Sequence, residues 1–308
     1  MEKRIIKCGV VGVGYLGSHH ARIYSELENV ELVGVYDVNA VRAQEIADLY
    51  HCKAFSDMET LAKSCDALSV VTPTTTHAET ALKLLDCGCH LLVEKPLCVT
   101  LDEAEAMIKK ADRLGRYLQV GHVENYNPVN TFLEKTVNQP RYITADRLAP
   151  FNPRGTDVGV VLDLMIHDLG VVLNLVKSPI ENIEAIGVNV VSKTEDIANA
   201  RIRFQNGCIA NFNTSRISQK KVREIRVFQP NKYLSLNFME QKGHLLYKGE
   251  TGIQQEEVPL HKEEPLRVEL DSFVHCVLEA HQPKVNGLVA RSALAVALKI
   301  TDLIKQNQ

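Results

Sequence analysis

The sequence lacks the features that mark several large classes of protein. No long basic run is present, and the charges nearly balance to a formal net charge of −3 at pH 7. No apolar run approaches the length of a membrane span, and the start of the chain does not read as a secretory signal. These absences predict a cytoplasmic protein whose main partner is neither nucleic acid nor a membrane.

A disulfide framework is also missing, although the chain has eight cysteines. They are scattered, and a chain of 308 residues can build its core without covalent staples. The run Cys87-Gly88-Cys89-His90 is a local group of metal-ligand residue types. Its spacing differs from that of the usual zinc loops, however, and the sequence has no second Cys/His pair that would complete a zinc site with it. We therefore expect free thiols and no metal site.

Internal repeats and low-complexity segments are absent too, so length is the first guide to domain organisation. At 308 residues the chain is long for one core and short for three, which favours two domains. In residues 1–122 apolar strands alternate with amphipathic helices. This alternation is typical of a doubly wound parallel sheet covered on both faces, so we predict an α/β Rossmann domain.

In residues 123–308 the order of predicted elements changes, and strand-like runs follow one another directly along the chain. The turn Gln205-Asn206-Gly207 separates two of them, as expected for antiparallel neighbours. Helices are predicted at about 159–176, 265–280 and 288–306. We expect an α+β substrate domain with a large, mostly antiparallel open sheet, and leave open whether the last two helices pack on the first domain. A free sheet face predicts a homodimer or homotetramer.

The run Gly12-Val13-Gly14-Tyr15-Leu16-Gly17 lies where the first apolar strand gives way to a helix. In a dinucleotide fingerprint the first glycine permits the tight turn, the second lets a pyrophosphate approach the main chain, and the third lets the helix pack on the strand. The glycines, with Tyr15 and Leu16 between them, are therefore expected to bind a dinucleotide.

Asp37 ends the second apolar strand, 20 residues beyond Gly17. An acid at this place accepts hydrogen bonds from the adenosine ribose, and it repels a 2′-phosphate. The sequence therefore predicts NAD rather than NADP as the coenzyme.

Two further strand ends carry candidate residues. Thr72 and Pro73 end the fourth strand, where Thr72 can reach the coenzyme, and His77 follows with either a structural role or a place near the coenzyme. Glu94-Lys95-Pro96 ends the fifth strand. A lysine there is expected beside the nicotinamide, able to hydrogen-bond a substrate hydroxyl, with Glu94 as its modulating partner and Pro96 fixing the turn, where a cis peptide is one option.

Asp163 and His167 are four residues apart on a predicted helix and so share one face. A carboxylate beside an imidazole fixes its tautomer and raises its basicity, which suits a base that removes a hydroxyl proton. Such a pair alone is usually a surface contact, and only its combination with Lys95 favours chemistry.

Together, the glycine fingerprint, the Glu-Lys-Pro turn and the Asp-x-x-x-His pair resemble the Gfo/Idh/MocA oxidoreductases across essentially the whole chain. The resemblance implies a Rossmann domain followed by a domain with a large open sheet, and oxidation or reduction of a ring carbon of a sugar or cyclitol with NAD(P). It implies Lys95 and His167 as the catalytic pair, with Asp163 binding a substrate hydroxyl or orienting the histidine.

Two segments, 147–160 and 214–218, resemble the branch of that family that oxidises the 3-hydroxyl of UDP-N-acetylglucosamine or its uronate. A UDP-sugar needs cations for its diphosphate, and Arg147, Arg154 and Arg216 are expected to supply them. The product would be a keto sugar for an aminotransferase, which fits a lipopolysaccharide or lipid A pathway. The nearby basic residues are interpreted as a solvated strand edge: Lys220, Lys221, Arg223 and Arg226.

The segment Gly121-His122-Val123-Glu124-Asn125-Tyr126-Asn127-Pro128 departs from the Glu-Arg-Phe-Asn-Pro pattern of that branch, because Asn125 replaces the arginine. Asn127 and Tyr126 are kept as neighbours of the substrate. Two rival functions stay open: an inositol or free-sugar dehydrogenase with the same catalytic residues, and a non-catalytic NAD-binding regulatory protein.

Overall fold

The computed structural model describes residues 4–152, 158–250 and 252–307. The chain divides into two compact units, and each consists of two segments. The first comprises Met1–His122 and Leu266–Arg291, and the second comprises Val123–Pro265 and Ser292–Gln308. A later segment of the chain thus returns to the first unit.

The first unit is built on a six-stranded parallel sheet with the strand order β3-β2-β1-β4-β5-β6. Its strands are β1 (Ile6–Val11), β2 (Val30–Tyr36), β3 (Lys53–Ala54), β4 (Ala67–Val70), β5 (His90–Glu94) and β6 (Leu118–Gly121). The helices between them are α1 (Tyr15–Glu26), α2 (Ala40–Leu49), α3 (Met58–Ala62), α4 (His77–Asp86) and α5 (Leu101–Arg113). This order confirms the predicted Rossmann domain, whose ligands bind at the carboxyl ends of the strands where β1 and β4 meet.

Local sequence explains why several of these helices begin where they do. Asn39 caps α2 and Asp57 caps α3, each accepting main-chain N–H groups of the first turn. Thr100 and Glu103 form a reciprocal capping box at the start of α5. The start of α1 at Gly14 has no capping side chain in the described structure, and no acidic residue lies in its first turn. The N–H groups there are suited to meet an anion.

The later segment of the first unit contains α8 (Pro265–Glu279). Its apolar side chains Leu270, Phe273, Val274 and Val277 are buried in one core cluster with residues of β1, α1 and β2. Helix α8 therefore contributes to the core of the first unit.

The second unit is built on an eight-stranded sheet with the order β14-β13-β12-β11-β7-β10-β9-β8. Its strands are β7 (Tyr142–Leu148), β8 (Ile180–Val188), β9 (Ile197–Phe204), β10 (Ile209–Ser215), β11 (Val222–Gln229), β12 (Lys232–Asn237), β13 (Lys242–Gly249) and β14 (Gly252–Glu257). Its helices are α6 (Pro128–Thr136) and α7 (Ile166–Val176), while α9 (Gly287–Gln306) begins in the first unit and ends in the second.

This sheet is mostly antiparallel, as predicted, and the parallel pair β7–β10 lies near its middle. Gly207, with φ +82°, allows the tight turn between β9 and β10. Along β9 every second residue is buried, so that Ala198, Ile202 and Phe204 face the core while Arg201 and Arg203 face outward. One face of the sheet therefore packs in the core and the other is open.

Four elements differ from the sequence predictions. Helix α6 and strands β13 and β14 were not predicted. The predicted helix 159–176 is not regular, because residues Val161–Met165 form a π-helical turn before α7 begins. A π turn hydrogen-bonds i to i+5, so it shifts the faces that residues before and after it present.

In the described residues, no helix combines the length and apolar character that a bilayer crossing requires. All eight cysteines are free thiols, as expected.

Candidate active site

The glycine turn between β1 and α1 has little room for side chains at two of its three glycines. Gly12 has φ +87°, and a Cβ there would lie 2.5 Å from the carbonyl oxygen of Val71. A Cβ on Gly17 would lie 1.9 Å from the carbonyl oxygen of Gly12. At Gly14, by contrast, a Cβ would meet nothing within 4 Å. The first and third glycines are therefore required by packing, whereas the second leaves open space in front of the main chain.

Asp37 is joined to this turn by hydrogen bonds. Its Oδ2 accepts the N–H of Val13 at 2.8 Å, and its Oδ1 accepts the N–H of Asn39 at 2.9 Å. Each carboxylate oxygen can accept a second hydrogen bond, so the acid can still receive ribose hydroxyls.

A cavity of about 670 Å³ opens at the carboxyl ends of β1, β2 and β4. It brings together five predicted coenzyme residues: Gly12, Gly14, Asp37, Thr72 and Pro73. Its volume lies in the range of small-molecule sites, which is about 300–1,000 Å³. Tyr15 and Leu16 lie next to Gly14 with exposed side chains. These observations fit a dinucleotide, because the cavity combines open main chain, an acid and a helix N-terminus.

His77 links the ends of β4 and β5. It is buried, its Nδ1 lies 2.9 Å from the carbonyl oxygen of Pro96, and its Nε2 lies 2.8 Å from that of Thr72. Carbonyl oxygens only accept, so a ring nitrogen that carries a proton donates to the carbonyl oxygen it faces. Of the two roles left open for this residue, the contacts support a structural one that holds two turns together.

Lys95 follows β5 in a turn whose Lys95–Pro96 peptide is cis. The carboxylate of Glu94 is buried, and its Oε2 accepts the main-chain N–H of Lys95 at 3.1 Å. Its Oε1 lies 3.2 Å from Nε2 of His20 on α1. Burial acts to raise the pKa of Glu94, but the hydrogen bond from His20 and the charges of His20 and Lys95 outweigh it, so the pKa is lowered. Glu94 is therefore an ionised partner of the Lys95 main chain.

Two residues at the end of β6 complete the surroundings of this carboxylate. A Cβ on Gly121 would lie 2.7 Å from the Cδ atom of Glu94, so glycine is needed there. His122 is buried, and its pKa is lowered to about 4 by burial first and by the charge of Lys95 second, while Glu94 opposes the shift. His122 is thus a neutral imidazole near neutral pH.

Asp163 and His167 lie in the second unit. Asp163 is half-buried within the π-helical turn, and His167 is the buried second residue of α7. Asp163 lies in the π turn and His167 lies in α7, so no regular α-helix joins them. That they share one face stays a prediction. Their assignment as catalytic residues stays a prediction.

The start of the π turn is clamped by Glu195, from the segment between β8 and β9. The carbonyl oxygen of Glu195 accepts the N–H of Val160 at 3.1 Å, and its Oε1 accepts the N–H of Val161 at 3.3 Å. A Cβ on Gly159 would lie 1.9 Å from that Oε1. The absence of a side chain at Gly159 therefore lets Glu195 cap the helix that carries Asp163 and His167.

Arg147 lies in a buried ion cluster rather than on a surface. Its Nε and terminal nitrogens bind both oxygens of Asp168, at 2.8 and 2.9 Å, and Oε1 of Glu124 at 3.0 Å. Burial would lower the pKa of Arg147, but the two carboxylates raise it above its usual value. Burial also raises the pKa of Asp168, against the lowering effect of Arg147. Because two carboxylates already compensate this charge, the contacts of Arg147 argue against the expected role as a diphosphate ligand.

Arg216 is similarly engaged. It is buried, it donates to the carbonyl oxygens of Val158 at 2.8 Å and Glu195 at 3.2 Å, and it forms an ion pair with Asp196. These contacts anchor the segment before the π turn, so they too give a structural role where substrate binding was expected. Arg154 lies outside the described residues.

Asn127 caps helix α6. Its Oδ1 accepts the N–H of Val129 at 3.1 Å, and its Nδ2 donates to Glu124 at 3.2 Å and to the carbonyl oxygen of Phe238 at 3.1 Å. These bonds occupy both ends of the amide, so the expected substrate contact at Asn127 is not supported by its geometry. Tyr126 is buried beside it.

Sequence reasoning missed several residues that shape the candidate site: His20, Gly121, Gly159 and Glu195. Each acts through a partner that is distant in the chain, as between His20 and Glu94, so local pattern gave no signal for them. In the part of the chain that the structure describes, no group of three or more His, Cys, Asp or Glu residues is arranged to hold a metal ion.

Comparison with known proteins extends this picture. Residues 6–122 match the model of an oxidoreductase family with an NAD-binding Rossmann fold, and residues 134–231 match that of the GFO/IDH/MocA C-terminal domain.

Among curated proteins, UDP-N-acetylglucosamine 3-dehydrogenase of Acidithiobacillus ferrooxidans is 36% identical over 303 residues, which cover 96% of each chain. A solved structure of the enzyme of that name from the same organism superposes with a TM-score of 0.93 at 35% identity, covering 98% of each chain. Glucose-6-phosphate 3-dehydrogenase of Bacillus subtilis is 35% identical over 120 residues, 39% of this chain and 34% of that protein.

Proposed function

Because the chain belongs to the Gfo/Idh/MocA family of NAD-binding oxidoreductases, we propose that it oxidises C3 of a UDP-amino sugar, with UDP-N-acetylglucosamine as the substrate. The observation that carries the proposal is the 36% identity, over 96% of both chains, to a UDP-N-acetylglucosamine 3-dehydrogenase. The match to glucose-6-phosphate 3-dehydrogenase covers only 39% of this chain, so it supports the reaction type more than the substrate. We also propose that the enzyme is cytoplasmic and that it has neither a nucleic-acid nor a membrane partner.

The chain's own residues suit the coenzyme half of this reaction. NAD, when bound, accepts the hydride that leaves the carbinol carbon. Gly14 would leave space for its pyrophosphate, and the start of α1, which no side chain caps, would offer N–H groups to that anion. Asp37 would hold the ribose hydroxyls and disfavour a 2′-phosphate, which supports NAD over NADP.

Proton transfer is assigned to Lys95 and His167. Oxidation of an alcohol requires a group that takes the hydroxyl proton, and an amine or an imidazole can do so near neutral pH. The buried carboxylate of Glu94 accepts the main-chain N–H of Lys95. This hydrogen bond fixes the position from which the Lys95 side chain extends. Asp163 is proposed to bind a substrate hydroxyl or orient the imidazole of His167.

The diphosphate of a UDP-sugar needs a cation, and Arg147 and Arg216 are already compensated. We propose Arg154 as the cation that binds the diphosphate. Arg223 is a second candidate: it pairs with Glu124 at 3.4 Å, but its side chain is 38% exposed and its register partner on β7 is the cation Arg147. Burial and the charge of Arg147 lower the pKa of Arg223, so a bound anion would be favourable there.

The test is NADH formation by the purified full-length protein, measured by absorbance against UDP-N-acetylglucosamine, UDP-glucose, glucose 6-phosphate and myo-inositol. Reduction of the product with borodeuteride, followed by NMR, identifies the oxidised carbon. We expect turnover with UDP-N-acetylglucosamine and deuterium at C3. A preference for inositol or the free sugar phosphate would support the first rival function instead.

Variants separate catalysis from mere coenzyme binding. Lys95→Ala and His167→Ala should each lower kcat by roughly a hundredfold or more, as loss of a positioned acid–base group does. Lys109→Ala, on the exposed face of α5, is the matched control and should change nothing. Binding of NADH without turnover of any sugar would favour the regulatory rival.

A further inference from the structure

A chain of buried polar side chains runs behind the lysine turn of the first unit. The phenol of Tyr24 lies 2.8 Å from Oγ of Ser69, and that oxygen lies 3.0 Å from Nδ1 of His20. On the other side of the imidazole, Nε2 lies 3.2 Å from Oε1 of Glu94. The second oxygen of Glu94 then holds the N–H of Lys95. Tyr24, Ser69 and His20 are fully buried, and Glu94 is 6% exposed.

Charge compensation is the first reason to assign a role to His20. A buried carboxylate is costly unless a cation or several donors face it. The groups that face Glu94 are His20 from α1, Lys95 from its own turn, and the neutral His122 from β6. An ionised carboxylate can only accept, so Nε2 of His20 donates to it. Without His20, Lys95 would be the remaining positive group beside Glu94.

The second reason is that the hydroxyls permit either protonation state of His20. Ser69 can donate to Nδ1 of the neutral ring while accepting from Tyr24. With an imidazolium the direction reverses, so that Ser69 accepts from Nδ1 and donates to Tyr24. The contact of Ser69 with Nδ1 therefore survives a change of charge on the ring.

We propose that His20 is a positioning residue for Lys95: it compensates the buried Glu94 carboxylate, which in turn holds the main chain of Lys95. The inference rests on the proposed function in one respect, namely that Lys95 takes part in proton transfer. Helix α1 thus has two proposed roles in the reaction. Its first turn would bind the coenzyme phosphates, and its His20 would position the turn that contains Lys95.

Two substitutions at one position separate this role from packing. His20→Gln can place an amide N–H near the position of Nε2 and keep a donor toward Glu94. His20→Asn is shorter and keeps a donor or acceptor only toward Ser69. We expect His20→Asn to lower kcat roughly tenfold to a hundredfold, since small misplacements of a catalytic group cost this much. His20→Gln should retain more activity than His20→Asn.

Further kinetic measurements should change if His20 positions Lys95, but not if His20 has a merely structural role. The dependence of kcat/KM on pH should change more in His20→Asn than in His20→Gln, because only the glutamine variant keeps a donor toward Glu94. The KM for NAD should stay within about twofold, because no contact to the nucleotide is lost. His275→Gln, at a partly exposed position of α8, is the control and should match the wild type. Equal activity of both His20 variants and the wild type, with superimposable pH profiles, would overturn the proposal.

A measurement on the coenzyme-free protein makes the inference independent of the substrate assignment. With ¹⁵N-labelled histidine, the Nε2–H proton of His20 should resonate far downfield, as expected for a donor to a carboxylate. Glu94→Gln should move this resonance upfield, and His20→Gln should remove it. A His20 resonance unaffected by Glu94→Gln contradicts the pairing, whatever the substrate proves to be.

The two proposals therefore fail in different ways. If the wild type forms no NADH with any nucleotide sugar but the resonance behaves as described, the proposed function is wrong and the His20–Glu94 pair stands. If turnover is present and His20→Asn is fully active, the function stands and the positioning role does not.

Discussion

The carboxylate of Asp37 accepts the main-chain N–H of Val13 at 2.8 Å, which ties the end of β2 to the glycine turn after β1. The same side chain also accepts the N–H of Asn39, the residue that caps α2. One acid thus organises the turn, the next helix and the wall of the cavity in which a ribose is expected.

Replacement of Asp37 by alanine should weaken NAD binding and relax coenzyme choice. Loss of charge-assisted hydrogen bonds of about 1.5–3 kcal/mol predicts a KM for NAD that is roughly tenfold to a hundredfold higher. The ratio of NADP to NAD use should rise, because the repulsion of a 2′-phosphate disappears. Steady-state kinetics with both coenzymes measure this, and Asp48→Ala, at an exposed position of α2, is the control. An unchanged preference for NAD would show that Asp37 does not contact the ribose.

Gly14 and Gly17 form a matched pair for separating binding from folding. Gly17→Ala places a Cβ 1.9 Å from a carbonyl oxygen, so the protein should lose stability and Tm should fall. Gly14→Ala meets open space, so Tm should change little while the methyl group obstructs the pyrophosphate. Differential scanning fluorimetry with and without NADH measures both effects. A Gly14→Ala protein that is stabilised by NADH as strongly as the wild type would contradict the assignment of this glycine.

Arg147 should behave as a structural residue. Arg147→Met leaves Asp168 and Glu124 without their shared cation, and breaking such a buried pair costs about 3–5 kcal/mol. Arg147→Lys keeps the charge but not the two-pronged contact, so its loss should be intermediate. Urea unfolding measures the free energy, with Arg141→Ala, an exposed arginine beside the same strand, as control. A raised KM for the sugar at unchanged stability would instead restore the diphosphate role.

His122 should make stability depend on pH. Its pKa is about 4 in the folded protein, because burial and the charge of Lys95 disfavour the imidazolium, against an ordinary value of 6.5. The unfolded chain therefore binds the proton first, and the free energy of unfolding should fall by about 3 kcal/mol as pH drops from about 6.5 to about 4. Urea unfolding across this range checks the slope. Lys95→Met should make it shallower, since one cause of the lowered pKa is removed, and an equally steep slope would show that Lys95 does not act on His122.

The open face of the eight-stranded sheet should mediate self-association. Tyr142, Phe228 and Tyr233 are neighbours across three strands, and Phe228 stacks on Tyr233 with ring centres 4.6 Å apart. Ile186 and Val188 are also exposed apolar residues of this sheet. Light scattering should show a homodimer or homotetramer that Phe228→Glu dissociates, whereas Val41→Glu, an exposed apolar position of α2, should not. A monomeric wild type would refute this expectation.

Local pattern was sufficient for much of the Rossmann unit. Glycine spacing, strand ends and the Lys95 turn are encoded by neighbouring residues, so the sequence predicted the elements and the coenzyme cavity together. Helix α6 could also have been found, because Asn127 and Pro128 form a standard cap and first turn. It was missed because Asn127 was interpreted as a neighbour of the substrate.

The remaining features depend on distant partners. The hydrogen bonds of His20 join it to residues 49 and 74 positions away, and no periodicity predicts them. Arg147 and Arg216 were interpreted by charge alone, whereas burial beside Asp168, Glu124 and Asp196 determines what they do. The π turn likewise depends on the clamp from Glu195, which a helical hydrophobic pattern cannot indicate.

The position of α8 in the chain constrains when the first unit can fold during synthesis on the ribosome. The core shared by β1, α1 and β2 includes Leu270, Phe273, Val274 and Val277, so the nascent first unit stays incomplete until Val277 has emerged. A gene fragment that stops at codon 122 would leave this apolar surface uncovered, whereas co-expression of a peptide spanning 265–291 could complement it in trans.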